Sequence, residues 1–470
     1  MRARRLALVA AVLLTACTST ISGHPGAPRR ASSTSAPAGT TPVSQPNSCT
    51  TYASPDPNRP RMTLRFTIAP NHHTVHGTEQ LTFRPDLPIT ELIFRLTANT
   101  APTVFEGNKI VVTAATADNG AGKFGFTEAN AAASTQGGLL HIPFASTIAA
   151  GTSVTAHLAF DLTLGENSFD RFGRAGGFAY FGSGEPLLAW ERGFGWHTED
   201  MANFPAESAT SEAMDVDLTV VAPRADTVIM SGDPTNPPAT GAMRTWHATI
   251  STARDVSVAA GPFAVSDTMV DGVRLRLGAP DVATRDALVP EFQRAIRELA
   301  KRFGPFPFPS LSVARLPAQG GGIEYPSAIL MLDGSRLVAV HETAHQWFYA
   351  MVGDSQALHP WLDEAFATYA EELVNDDAPQ DGALHAPGRV DSSTASYGHD
   401  TGRYYFTTYN KGAAALLAAR RSAGAAKWDA AIRCYVARNA WRVVHPSDLR
   451  AAIAKLPKGI VVLQNAGALP

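Results

Sequence analysis

The chain has 470 residues, 45% hydrophobic and 17% charged, with 22 Phe, 10 Tyr and 7 Trp, so it has the apolar surface for a buried core and the length for about three domains. That excludes wholesale disorder. Lys and Arg number 39 against 42 Asp and Glu, a net charge of −3 with no dense basic run, which excludes a nucleic-acid footprint; three cysteines are too few for a disulfide-stapled scaffold or a cysteine zinc ribbon.

Residues 1–16 read Met-Arg-Ala-Arg-Arg followed by LALVAAVLLTA. A basic start before a short apolar stretch is an export signal, too short to span a membrane stably. Leu14-Thr15-Ala16-Cys17 resembles a bacterial lipobox, which implies cleavage before Cys17, lipidation of Cys17 and a protein anchored to the outer face of the bacterial cell membrane. The alternative is an ordinary secretory signal with an incidental cysteine. Cleavage would remove Arg2, Arg4 and Arg5 and leave the mature chain more negative. Residues 17–49 are Ser, Thr, Pro, Ala and Gly with almost no large apolar side chain, the composition of a flexible tether. No later stretch is long and apolar enough for a membrane-spanning helix. Cys49 and Cys434 could pair in an oxidising compartment or remain two thiols.

From 50 to 265 the pattern favours strands. RMTLRFTI (61–68), EQLTFRP (79–85), ELIFRL (91–96), SVTAHLAFDLTL (153–164), DVDLTVVAP (215–223) and RDVSVAAGPFAV (254–265) alternate or run apolar at strand length, separated by turn residues. From 266 the period changes. Residues 286–304 place apolar side chains three and four apart and stop at Gly304-Pro305, which predicts a helix. A strand over 311–317 and Gly320-Gly321-Gly322 follow. Helices are predicted over 335–353, 360–375 and 408–423, with a polar loop over 376–402. The fold class expected is α+β: a β-sandwich-like region over 50–265, a catalytic domain over 266–425 and a short helical C-terminal cap over 426–470.

His341-Glu342-Thr343-Ala344-His345 places two histidines four residues apart on a predicted helix. Four residues turn about 400°, so both imidazoles leave one face and can hold one zinc ion, with Glu342 beside them as a base for water. Catalytic zinc takes three protein ligands. Glu364, after 18 intervening residues and among Trp361, Leu362, Ala365 and Phe366 on the next helix, is the third candidate. Glu371, two turns on, shares the face of Glu364 and is placed to orient a ligand imidazole.

These segments resemble the aminopeptidase N family of gluzincin zinc metallopeptidases. HETAHQWF followed by WLDEAFATYAEE is similar to that family's helix pair, Gly321-Gly322-Ile323-Glu324-Tyr325 to its Gly-x-Met-Glu-Asn segment, and Tyr409-Asn410-Lys411-Gly412 to its Tyr-x-Lys-Gly segment. ELIFRLTANT (91–100) resembles part of its N-terminal β-domain. The resemblance spans about residues 50–440 and implies a thermolysin-like catalytic domain. It implies one zinc ion on His341, His345 and Glu364, with Glu342 as general base and Tyr409 as hydrogen-bond donor to the oxyanion. Tyr404 and Tyr405 are alternatives for that donor. It also implies that Glu324 binds the free amine of a peptide, with Gly321 and Gly322 as the backbone edge a peptide approaches. Glu191 is a weaker candidate for a second amine anchor.

Ile323, Tyr325, Tyr349, Asp363 and Ala365 depart from the family pattern, and the fewer than 65 residues given after Tyr409 have room for only a few helices. The expected function is removal of N-terminal residues from peptides at a cell surface. A zinc endopeptidase with an open cleft and a non-catalytic surface binding protein are the alternatives.

Overall fold

A computed structural model describes residues 49–166, 171–207, 209–235, 239, 241–379 and 382–470. The export signal, Cys17 and the tether up to residue 48 lie outside the described residues.

In the first half, strand-length apolar alternation becomes sheet. Arg61–Ile68 turns Met62, Leu64, Phe66 and Ile68 inward and leaves its alternate residues outside, as the two-residue period requires. It pairs antiparallel with Thr74–Phe83 and in parallel with Met214–Pro223. Met243–Ala253, Val154–Thr163 and Lys109–Ala117 complete a six-stranded sheet. A four-stranded sheet of Leu187–Leu188, Ile89–Arg95, Leu139–Ile148 and Gly125–Thr127 shares its core, with Leu64 and Phe66 of one in the same buried cluster as Leu92 and Phe94 of the other. The β-sandwich-like expectation holds. A further sheet, with Phe178–Gly182 and Ser257–Gly261 at its centre, is antiparallel throughout. The predicted strand over 254–265 divides into Ser257–Gly261 and the start of Ala264–Val270.

Ala264–Val270, at the expected domain boundary, opens a five-stranded mixed sheet. Its order is Ala264–Val270, Val273–Ala279, Ser310–Arg315, Ala328–Met331 and Gly322–Tyr325. The helix Val282–Phe303 covers one face, with Leu288, Phe292 and Ile296 against Leu275, Leu311 and Ile329. It begins four residues before the expected start because Asp281 caps it, accepting the Thr284 N–H at 2.8 Å. Gly322–Tyr325 lies at the sheet edge, antiparallel to its neighbour, where a backbone is open to a partner.

The predicted helix over 335–353 is shorter, Arg336–Ala344. Tyr349 takes φ = 109°, a conformation no helix continues through, and its N–H bonds Val352 O at 2.8 Å. The helix Trp361–Asn375 falls where expected. The predicted helix over 408–423 begins as a π-helical turn, Phe406–Lys411, before the α-helix Gly412–Ala423. The C-terminal helices Ala425–Arg438, Pro446–Ala452 and Pro457–Asn465 share one core with Arg336–Ala344 and Trp361–Asn375. Tyr435 stacks on Phe366, and Trp428 donates to the Tyr369 hydroxyl at 3.2 Å. Cys49 and Cys434 form a disulfide with Cα atoms 4.8 Å apart, closing a separation of 385 residues. No described helix is long and apolar enough to cross a membrane.

Candidate active site

The helix Arg336–Ala344 starts on Ser335, whose hydroxyl accepts the Val338 N–H at 3.2 Å. Val340, Ala344 and Trp347 face the core, which turns His341 and His345 toward the helix Trp361–Asn375. His345 closes the first helix but keeps right-handed backbone angles, so the four-residue spacing still aligns the imidazoles. Gln346 then fastens the helix to the sheet edge. Its amide accepts the Ser327 N–H at 2.9 Å and donates to Tyr325 O at 3.0 Å, which fixes the hairpin bearing Glu324.

His341 Nε2 and His345 Nε2 each lie 3.4 Å from Glu364 Oε2. That is long for a hydrogen bond, but it is the edge of a tetrahedron with bonds of about 2.1 Å to a central ion. The ligand atoms of all three residues lie within 4.8 Å of one another. Each imidazole is held from behind. Glu371 Oε2 lies 3.3 Å from His341 Nδ1, and Phe348 O lies 3.0 Å from His345 Nδ1. A proton on each Nδ1 leaves Nε2 with a lone pair for the metal. Two imidazoles and one carboxylate are a catalytic zinc donor set, so these residues fit the ion.

The ligand atoms of Glu324, Glu342 and His345 also fall within 4.8 Å of one another. Both carboxylates are buried, and one oxygen of each, Glu324 Oε1 and Glu342 Oε2, has no hydrogen-bond partner. Burial pushes the Glu342 carboxyl up to about 7 against the lowering effect of His341 and His345. Burial also pushes Glu324 well above the carboxylate range, with Glu207, Glu364 and Glu342 adding to it and His345 opposing. Burial alone would raise Glu364, but the hydrogen bonds from both histidines hold it below the usual range. His345 moves the other way. Burial lowers it, Glu324 and Glu364 outweigh burial, and it reaches about 9. This concentration of carboxylates calls for a divalent cation.

Gly322 separates from Gly321 in its role. A Cβ at Gly322 would meet Glu342 Cγ at 2.4 Å and Cδ at 2.6 Å, so this glycine makes room for the carboxylate. Beside Gly321 the space is open, and its carbonyl accepts the N–H groups of Leu332 and Asp333.

Tyr409 sits in the π-helical turn with its ring parallel to that of His341, centroids 5.8 Å apart. Single π turns recur where a side chain must be redirected to a site. Tyr405 instead donates to Pro205 O at 2.9 Å, and Tyr404 is buried against Phe204 and Tyr397. The neighbours of Tyr409 hold it there. Lys411 donates to Ala386 O at 2.7 Å and Gly388 O at 2.5 Å, and a Cβ on Gly412 would meet Ala365 Cβ at 2.5 Å.

Glu191 does not join this group. Its two oxygens are taken by His197 and His445 at 2.8 and 2.7 Å, so the second-anchor expectation gives way to that pairing. Glu207, which no motif marked, stands within the field of Glu324, Glu342 and Glu364 and is paired with Arg171. It lies in a loop with no periodic signal, beside Phe204-Pro205.

Residues 333–465 match the Peptidase family M1 domain. Aminopeptidase M1-C of Oryza sativa subsp. japonica is 24% identical over 187 residues, which cover 32% of this chain and 21% of the rice protein. The match thus spans about a fifth of that relative's length. Among solved structures, the M1 zinc metallopeptidase from Deinococcus radiodurans superposes with a TM-score of 0.66 at 20% identity, covering 90% of this chain and 97% of its own. A mutant of that enzyme bound to a Tyr-Ser-Ala substrate gives 0.64 at 20% identity over 90% and 98%. A two-domain M1 mutant bound to L-arginine gives 0.65, also at 20% identity, over 90% and 98%. The stretch that matches the Peptidase family M1 domain contains Tyr409 and both helices that bear the candidate metal ligands, and nine-tenths of the chain shares the fold of the M1 zinc metallopeptidase structures.

Proposed function

We propose that the chain is a zinc-dependent aminopeptidase that removes N-terminal residues from peptides at a cell surface. The observation that carries this reading is Glu324: a buried carboxylate with an unpartnered oxygen, grouped with Glu342 and His345. A peptide ammonium placed there pairs with Glu324 and sets the first peptide bond beside the metal ligands, which is how one residue is counted from the end.

His341, His345 and Glu364 would hold the zinc ion, which would supply a Lewis acid for the carbonyl and lower the pKa of water toward about 7. Glu342 takes the proton as the water oxygen bonds to the scissile carbon. It returns that proton to the departing amine as the C–N bond breaks. The Tyr409 hydroxyl donates to the oxygen that gains charge, a contact worth about 3–4 kcal/mol in comparable sites. Glu371 and the Phe348 carbonyl hold the imidazoles still meanwhile.

The cell-surface part rests on the lipobox-like Leu14-Thr15-Ala16-Cys17, and the Cys49–Cys434 disulfide supports an oxidising compartment. Cys17→Ala should release the protein from the membrane fraction; continued retention would remove the lipid anchor from the account. For the amine subsite, Glu324→Ala should raise KM and lower kcat on free-amine peptides while N-blocked peptides are affected little. Equal losses on both would make Glu324 a structural residue.

A further inference from the structure

Outside the metal site, a cluster of titratable side chains joins the β region to the C-terminal helices. Glu191 belongs to the hairpin of Trp190–Glu191 with Gly195–Trp196. Its Oε2 lies 2.8 Å from His197 Nε2 and its Oε1 lies 2.7 Å from His445 Nε2. The other nitrogen of His197 faces Glu199 at 3.1 Å. A carboxylate only accepts, so an imidazole with a carboxylate at each nitrogen satisfies both contacts only as the imidazolium. His197 is 1% exposed, and Phe194 stacks on it at 4.6 Å.

His445 stands where this cluster can act on the metal site. It caps the helix Pro446–Ala452 and follows directly on Val443–Val444. That strand pairs in parallel with Gly353–Asp354, in the segment that connects His345 to Glu364. The link between the two metal-binding helices is therefore hydrogen-bonded to the strand that His445 ends.

We propose that Glu191, His197 and His445 form a pH-sensitive latch between the β region and the C-terminal segment, tightest while the imidazoles are cationic and weakened when they lose their protons. Other charged groups face it. Arg95 donates to the carbonyls of Glu199 and His197. Asp448 accepts the His445 N–H at 2.9 Å, and His359, paired with Asp391 at 2.7 Å, has its ring 5.7 Å from that of His445.

For His197, burial works against the cation, but the contacts from Glu191 and Glu199 outweigh it; for His445, the contact from Glu191 is the largest effect and raises it. Glu191 would be raised by burial but is lowered to about 2 by both histidines. Raised imidazoles contribute stability that is complete below about pH 6.5 and is lost as pH rises through their folded values. The depressed carboxyl contributes above about pH 4.5 and loses its effect only as pH falls toward 2. The latch is thus tight in mildly acidic medium and loosens on the alkaline side.

The test is a double-mutant cycle of Glu191→Gln and His445→Gln in the full mature protein, by denaturant unfolding at pH 6.0 and 9.5. A closed latch predicts a coupling of about tenfold in the unfolding constant at pH 6.0, falling below about twofold at pH 9.5. Hydrogen exchange decides the case even where Glu191→Gln fails to fold. Wild-type amides of 353–354 and 443–452, corrected for intrinsic rates, should exchange about tenfold faster at pH 9.5 than at pH 6.0, while His445→Gln should be fast at both. A coupling that is equal at the two pH values, or wild-type protection unchanged between them, overturns the latch.

Discussion

Gly322→Ala tests how tightly the backbone edge and the general base are fitted together. The added Cβ would stand 2.4 Å from Glu342 Cγ, 2.6 Å from Cδ and 2.7 Å from Oε1. Non-bonded carbons normally rest about 3.5–4.0 Å apart, so Glu342 must retreat by about 1 Å. Glu342 is not a metal ligand, and the three ligands keep their places. A misplacement of about 1 Å in a reacting group costs about 10²-fold, equivalent to about 2.7 kcal/mol in the activation barrier. The assay is kcat on a free-amine dipeptide together with zinc content per chain. The expected result is full zinc occupancy with kcat about a hundredfold lower. Gly125→Ala, on the strand Gly125–Thr127 of the β region, is the internal control: its Cβ meets open space away from the site, so kcat should stay within about threefold of wild type. Full activity in Gly322→Ala, or equal losses in the two variants, would refute the fit between Gly322 and Glu342.

Four further outcomes follow from the same geometry. Glu371→Gln should weaken zinc binding by about 10–100-fold, read by competition with a chelating dye, because it removes the carboxylate behind His341. Tyr409→Phe should lower kcat by about 10²–10³-fold with KM little changed, whereas Tyr405→Phe should not, since its hydroxyl is held by Pro205 O. In the metal-free chain His345 keeps its proton up to about pH 9, so zinc must displace it. Zinc affinity should rise with pH up to about 9, with proton release seen by calorimetry in buffers of different ionisation enthalpy. Reducing Cys49–Cys434, or replacing Cys434 by Ser, should lower unfolding stability by about 2–5 kcal/mol, the usual cost of removing a native disulfide, measured by denaturant titration with and without reductant.

The parts of the site legible in the sequence are those set by short periods. The four-residue spacing of His341 and His345 is a property of one helix, and the seven residues from Glu364 to Glu371 are two turns of another, so both survive as shared faces. Strand alternation in RMTLRFTI is equally local. What escaped the sequence depends on tertiary partners. Gln346 looks like any polar residue after a helix until Ser327 and Tyr325 are brought to it. Glu207 and Arg171 meet across a loop that carries no pattern. His445 and Glu191 are 254 residues apart. The helix over 335–353 was read too long because WFYAMV keeps apolar character after the backbone has turned at Tyr349, where φ is 109°. A glycine at that position would adopt this angle freely. Here a buried tyrosine holds it, with its carbonyl bound by Arg254 at 2.9 Å.

The most direct measurement of the central claim uses one peptide mixture in free-amine and N-acetylated forms, incubated with purified residues 18–470 with and without a zinc chelator, products being read by mass spectrometry. The account predicts chelator-sensitive loss of single N-terminal residues from the free-amine peptides alone. Internal cuts in both forms would contradict the aminopeptidase reading and indicate an endopeptidase on the same metal ligands, and no cuts by the zinc-loaded protein would contradict the peptidase reading itself.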